Sequence, residues 1–153
     1  MTLDIKEEVE QLSQVPMFSK MEPSKLRLLA FTSEALCYKD QELLFEQNDP
    51  PDSTYVIMSG EVEVVAHTSA GDVVAATRGR NALIGEMAVI MKSPRSATIR
   101  AKGDVHVLKI NADVFLTLLS ENPSVALDVM HQLSAKIAEA QRQYEQLHEQ
   151  LQV

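Results

Sequence analysis

Tryptophan is absent from this chain of 153 residues, and cysteine occurs once, at Cys37. A single thiol closes no internal disulfide, so a disulfide-stapled secreted scaffold is excluded and a cytoplasmic location is expected. Glycine (5) and proline (6) are scarce, which excludes a collagen-like chain. No apolar run approaches the roughly 20 residues that a bilayer requires. The first residues, Met1-Thr2-Leu3-Asp4-Ile5-Lys6-Glu7-Glu8, are acidic and lack the apolar stretch of a signal or transit peptide. What is present is ordinary for a folded domain: 45% hydrophobic and 24% charged residues, enough chain for one buried core.

Positive charge is also in short supply. Lys and Arg number 14 against 22 Asp and Glu, a net charge of -8. Nucleic-acid binding needs a positive face, so the chain as a whole is a poor candidate for it. One stretch departs from this. Residues 78–102 hold Arg78, Arg80, Lys92, Arg95, Arg100 and Lys102 against Glu86 alone. Such a patch is either a solvated basic strand face or a local site for a small anion.

The texture changes twice along the chain. Residues 3–13, with Leu3, Val9 and Leu12 among charges, read as a helix that Pro16 ends. Pro23-Ser24 starts a second, carrying Leu26, Leu28, Leu29 and Ala30. From Glu34 to Ile110 short runs alternate with a period of two, as Val62, Val64 and Ala66 do, and as Ala97, Ile99 and Ala101 do. Asp49-Pro50-Pro51-Asp52, Ser59-Gly60, Ala70-Gly71-Asp72 and Lys102-Gly103-Asp104 are expected to be turns between strands. Together these predict a mainly β, jelly-roll-like barrel over 34–111, with N-terminal helices over 1–33 and helices over 112–153, in one domain. Ala112–Leu119 forms the first C-terminal helix. Asn122-Pro123 opens the second, and with no Gly or Pro after it residues 124–153 can form one helix of about 45 Å. Cys37 falls in a strand-like run and is expected in the core.

That last helix carries an apolar seam. Ala126, Met130, Leu133, Ile137, Ala140, Tyr144, Leu147 and Leu151 follow a strict a/d heptad spacing. The portion over 126–133 is expected to pack on the protein's own barrel. The portion over 137–151 runs beyond what the barrel can cover and points to a homodimer.

The chemistry lies in residues 84–98, Ile84-Gly85-Glu86-Met87-Ala88-Val89-Ile90-Met91-Lys92-Ser93-Pro94-Arg95-Ser96-Ala97-Thr98. Bare, this is a turn, a helical turn and a loop leading into a strand. Gly85 permits close backbone approach, and the N–H groups that follow suit an anion. Arg95 offers a bidentate fork for phosphate. Glu86 can accept from a sugar hydroxyl, and Ser96 can donate. The set suggests a sugar-phosphate ligand. His67, His106, His131 and His148 show no metal-ligand spacing, which argues against a cupin-like metal enzyme. No Walker loop, Rossmann glycine triplet or serine elbow is present, so no enzymatic activity and no cofactor are expected.

This stretch closely resembles the phosphate-binding cassette of the cyclic-nucleotide-binding domains found in catabolite activators, kinase regulatory subunits and cyclic-nucleotide-gated channels. That cassette reads Phe-Gly-Glu-Leu-Ala-Leu, a short loop, then Pro-Arg-x-Ala-Thr. Gly85, Glu86, Ala88, Pro94, Arg95, Ala97 and Thr98 match, with Ile84 for Phe and Met87 and Val89 for Leu. Val15-Pro16-Met17-Phe18 is similar to the turn leading into the family's barrel, Tyr55-Val56-Ile57-Met58-Ser59-Gly60-Glu61-Val62 to its central hairpin, and Leu133-Ser134-Ala135 to part of its closing helix.

The resemblance implies that Glu86 holds the ribose 2′-hydroxyl and Arg95 the exocyclic phosphate oxygens. Ser96 would add a hydroxyl beside Ala97, and the N–H groups of Met87 and Ala88 would face the phosphate. Val64, Leu83 and Ile84 would line the base, and Tyr144 would either lid it or only fill the seam. Removing Arg95 is expected to abolish most cyclic-nucleotide binding with little loss of fold. Ser96 resembles the bacterial activators, so cyclic AMP is favoured over cyclic GMP. The family's glycines are replaced at Asp40, Asn48 and Asn81, residue types that still tolerate positive φ. The relatives' DNA-reading helix-turn-helix has no counterpart before Val153, so direct DNA binding by this chain is not expected. The implied role is a regulatory sensor passing its signal through the C-terminal helix. The alternative is a dimerisation or scaffold module of the same fold that binds another small anion or nothing.

Overall fold

The computed structural model describes residues 3–151. Residues 152 and 153, at the end of the long helix expected from the sequence, lie outside the described residues. The chain opens with α1 (Ile5–Leu12), capped by the Asp4 carboxylate accepting from the Glu7 N–H at 2.8 Å. A 3-10 turn at Pro16–Phe18 leads to α2 (Pro23–Thr32), with proline in its first turn. Six strands follow: β1 (Glu34–Tyr38), β2 (Leu43–Phe45), β3 (Ser53–Thr68), β4 (Gly71–Arg78), β5 (Leu83–Ile84) and β6 (Thr98–Asn111). The helix α3 (Glu86–Met91) sits between β5 and β6, and α4 (Ala112–Glu121) and α5 (Pro123–Leu151) close the chain. The strands pair antiparallel in the order β1-β6-β3-β4, with β2 also on β6 and β5 on β3. This is the mainly β fold with flanking helices that the sequence predicts.

The two long central strands separate two cores by their period of two. On β3, Val56 and Met58 face the helices while Tyr55 and Ile57 face the barrel interior. On β6, Leu108 and Ile110 face the helices while Val105 and Val107 face inward. The helix-side core adds Leu12, Phe18, Leu26, Leu29, Phe115, Val125 and Val129. Because both faces are covered, Ser53–Met58 is a continuous buried run rather than an alternating one.

Two expected turns are bends within strands. Ser59-Gly60 and Lys102-Gly103-Asp104 lie inside β3 and β6, whose register jumps from Ser59↔His106 to Glu61↔Lys102. Gly60 has φ +90°, and a Cβ there would stand 2.4 Å from the Asp104 carbonyl oxygen. The glycine permits a bulge at which both strands bend together instead of ending. Asn48 and Asn81 do adopt positive φ (76° and 70°), but beside Asp40 it is Gln41 that does so, at 74°. The Asp40 carboxylate instead accepts from the Gly103 N–H at 2.7 Å.

Cys37 is exposed, not in the core; it is on the outward side of β1, its Sγ 3.0 Å from His106 Nδ1. Leu36 and Tyr38 take the inward positions. On α5 the face that packs on the core is Val125, Val129 and Leu133; Val125 and Val129 lie one step from the heptad seam, Leu133 belongs to it, and Met130 stays exposed. Beyond it Ile137, Tyr144, Leu147 and Leu151 are exposed. Among the described residues no helix is long and apolar enough to cross a membrane.

Candidate cyclic-nucleotide site

Gly85 ends β5 in the left-handed region (φ 78°) and turns the chain into α3. It offers no side chain to cap the first turn, so the N–H groups opening that helix have no side-chain partner at the cap. After α3, Lys92 adopts φ 52° and the chain returns through Pro94 to Arg95, just before β6. The result is a cavity of about 200 Å³ whose lining includes Val64, Leu83, Ile84, Gly85, Glu86, Met87, Ala88, Arg95, Ser96 and Ala97. Ten of the eleven residues expected from the sequence thus meet in one place. The eleventh, Tyr144, does not line it: it is 69% exposed on α5, its ring stacked 6.1 Å from that of His148.

Arg95 is only 2% exposed. Its Nη1 donates to the Gly85 carbonyl at 2.9 Å and its Nη2 to the Ser53 carbonyl at 2.6 Å. The guanidinium carbon stands 4.0 Å from the centre of the Phe45 ring, a cation–π contact. The charge itself has one weak partner, Asp52 Oδ1 at 3.6 Å, on a side chain open to water. Nε is buried with no hydrogen-bond partner among the described residues. Burial lowers the Arg95 pKa from its ordinary value, opposed by Tyr55, Asp52 and Asp49; an arginine stays charged regardless. The backbone is pinned as well: Asn48 N–H donates to the Arg95 carbonyl at 2.8 Å, and Arg95 N–H donates to the Asp49 carbonyl at 2.9 Å. A buried cation with donors to spare is an anion receptor. Because the side chain also bridges two backbone carbonyls, its removal should cost stability as well as binding.

Glu86, the first residue of α3, also lines an adjoining open groove of about 560 Å³, between the Val15–Met17 turn and Gln132 of α5. Burial pushes its carboxyl above the ordinary value, an effect opposed by a backbone hydrogen bond and by the positive charges of Lys136 and Arg78. A carboxylate held there accepts from a neutral hydroxyl without the full cost of a buried free charge. Of the six basic residues in 78–102, only Arg78 and Arg95 reach the cavity. Arg100 pairs with Glu63 at 3.1 Å and Lys102 with Glu61 at 3.9 Å, across the β6–β3 ladder.

Sequence reasoning missed Phe45, Asp52 and Ser53, which hold the guanidinium. Phe45 lies on a three-residue strand too short to show a period, and Ser53 contributes only a backbone carbonyl, which no side-chain pattern reveals.

Among the described residues α3 is the one helix that interrupts the antiparallel barrel, and it caps the cavity that holds Arg95 and Glu86. The family model described as "Cyclic nucleotide-binding domain" matches residues 35–122, and the chain belongs to that family. A cAMP-dependent protein kinase regulatory subunit from Aspergillus niger is 33% identical over 108 residues, 71% of this chain and 26% of that protein. The chain thus spans about a quarter of the length of such curated relatives. Among solved structures, the Thermus thermophilus catabolite activator protein superposes with a TM-score of 0.75 at 26% identity, covering 86% of this chain and 62% of that one. The sensor domain of the Pseudomonas aeruginosa transcriptional regulator DNR has the same fold, with a TM-score of 0.82 at 20% identity over 88% of this chain and 91% of that one.

Proposed function

We propose that the chain is a regulatory module that binds a cyclic nucleotide, cyclic AMP in preference to cyclic GMP, without catalysis. The carrying observation is Arg95: a nearly fully buried guanidinium with an unpartnered Nε, in the same cavity as Glu86. In this reading Arg95, Ser96 and the N–H groups of Met87 and Ala88 take the cyclic phosphate beside Gly85 and Ala97. Glu86 takes the ribose 2′-hydroxyl, and Val64, Leu83 and Ile84 contact the base. Curated relatives named as cAMP-dependent kinase subunits support the choice of nucleotide.

Ligand occupancy is relayed to α5 through Glu86, which shares a groove with Gln132 of that helix. The exposed stripe of Ile137, Tyr144, Leu147 and Leu151 pairs two copies over 137–151. Tyr144 serves that seam, and becomes a lid only if α5 swings toward the cavity. The module acts in the cytoplasm, where a free, exposed Cys37 stays reduced. Titrating the chain with cyclic AMP, cyclic GMP and inorganic phosphate side by side tests the reading. Saturation by a cyclic nucleotide at far lower concentration than by phosphate supports it. Equal or absent binding favours the scaffold alternative.

A further inference from the structure

His67 stands near the end of β3, outside the cavity, and joins four segments. Its Nδ1 lies 2.5 Å from Asp72 Oδ1, directly across the β3–β4 hairpin. Its Nε2 lies 2.8 Å from the Thr98 hydroxyl, at the start of β6. That hydroxyl also accepts from the Gln47 N–H at 2.9 Å, and the Gln47 side-chain carbonyl accepts from the His67 N–H at 3.0 Å. Thr98 is 3% exposed, so its hydroxyl proton must be spent on a protein partner.

The directions follow from the partners. Asp72 as a carboxylate can only accept, so in the neutral imidazole the proton sits on Nδ1 and Nε2 accepts. The bonds then run head to tail: Gln47 N–H to Thr98, Thr98 O–H to His67, His67 N–H to Asp72. Residues 45–49 form the strap that holds Arg95: Phe45 lies under the guanidinium, while Asn48 N–H and the Asp49 carbonyl bond the Arg95 backbone. Asn48 takes φ 76°, within the left-handed region that asparagine tolerates. Glu46 N–H donates to Asp49 Oδ2 at 2.9 Å, closing the strap on itself. The Gln47 hydrogen bonds tie its middle to Thr98 at the start of β6 and to the β3 end that bears His67.

We infer that His67 is a positioning residue for the phosphate site: through Thr98 and Gln47 it locks the 45–49 strap, and the strap sets the guanidinium of Arg95. His67 itself touches no ligand. The affinity consequence rests on the function proposed above; the positioning claim does not.

The test uses the full chain with His67→Phe, which keeps an aromatic ring but no nitrogens, Asp72→Ala at an exposed position, Thr98→Val and Thr98→Ser. Amide hydrogen exchange without ligand reads the strap directly. In His67→Phe, exchange at Gln47, Asn48 and Arg95 should rise about tenfold, with no change at Ile57 or Val62 in the centre of the sheet. Asp72→Ala should do the same more weakly. Cyclic AMP affinity should fall in parallel, about three- to tenfold. Thr98→Ser should keep both properties, and Thr98→Val combined with His67→Phe should lose little more than either alone. A uniform rise in exchange across the sheet, or additive losses in the double variant, would overturn the inference. If wild type binds no cyclic nucleotide, the exchange result still decides the positioning claim, and only the proposed function fails.

Discussion

Gly85 and Arg95 fit together only because one of them has no side chain. A Cβ on Gly85 would lie 2.4 Å from Arg95 Nη1, the nitrogen that donates to the Gly85 carbonyl. The backbone at Gly85 is also left-handed, at φ 78°. One residue thus supplies the turn into α3, an acceptor for the guanidinium and the space in which it sits.

Gly85→Ala should therefore harm site and fold together. A side chain in the left-handed region costs about 1–2 kcal/mol, and Arg95 must shift to admit it. Chemical denaturation should show a lower midpoint, and cyclic-nucleotide titration a weaker site.

Arg95→Ala should lower stability even without ligand. It removes the Arg95 donors from the Ser53 and Gly85 carbonyls. Each hydrogen bond to a charged group contributes about 1.5–3 kcal/mol. Arg95→Lys should recover only part of this, because an ammonium is a point donor and cannot span two carbonyls while stacking on Phe45. Thermal melts of the three proteins check the order wild type, Lys, Ala.

Glu86→Gln should separate stability from binding. Burial raises the Glu86 pKa above its ordinary 4.5, so the folded chain holds that proton more tightly than the unfolded chain. Glu86 therefore favours folding in acid and opposes it once pH rises through its folded pKa. At neutral pH the ligand-free Gln variant should be as stable as wild type or more so, yet bind more weakly. Wild-type affinity should fall as pH drops through the raised pKa, and this dependence should flatten in Glu86→Gln. Melting and titration between pH 4 and 8 read both effects.

Stopping the chain after Ala138 should leave a folded monomer. Every described residue from Glu139 onward is exposed, so no core is lost. The seam loses Ala140, Tyr144, Leu147 and Leu151; a fully buried leucine contributes about 1.5–3 kcal/mol. Sedimentation should show a dimer for the full chain and a monomer for the short one. A dimer in both would place the interface elsewhere.

Much of this was legible in the residues. The cassette is continuous in sequence, so Gly85, Glu86 and Arg95 announce one another, and β6 declares itself by alternation at Ile99 and Ala101, with Ala97 just before its start. Pro23 and Pro123 mark helix starts because proline suits a first turn. Contacts remote in sequence were not legible. Phe45 reaches Arg95 from a short strand, and His67 reaches Thr98 across the ladder. Gly60 looked like a chain reversal because glycine at positive φ serves a bulge as well as a turn. Cys37 occupies an outward position on a strand whose short period the sequence left ambiguous.

The most direct measurement is calorimetric titration of wild type and Arg95→Ala with cyclic AMP under identical conditions, after circular dichroism has shown both folded. Truncating one partner of a buried charge pair costs about 2–5 kcal/mol, roughly 30-fold to several thousand-fold in affinity. The account predicts saturable one-to-one binding by wild type and a loss of that size in the variant. Affinities within threefold of each other, or no heat from wild type, would contradict it.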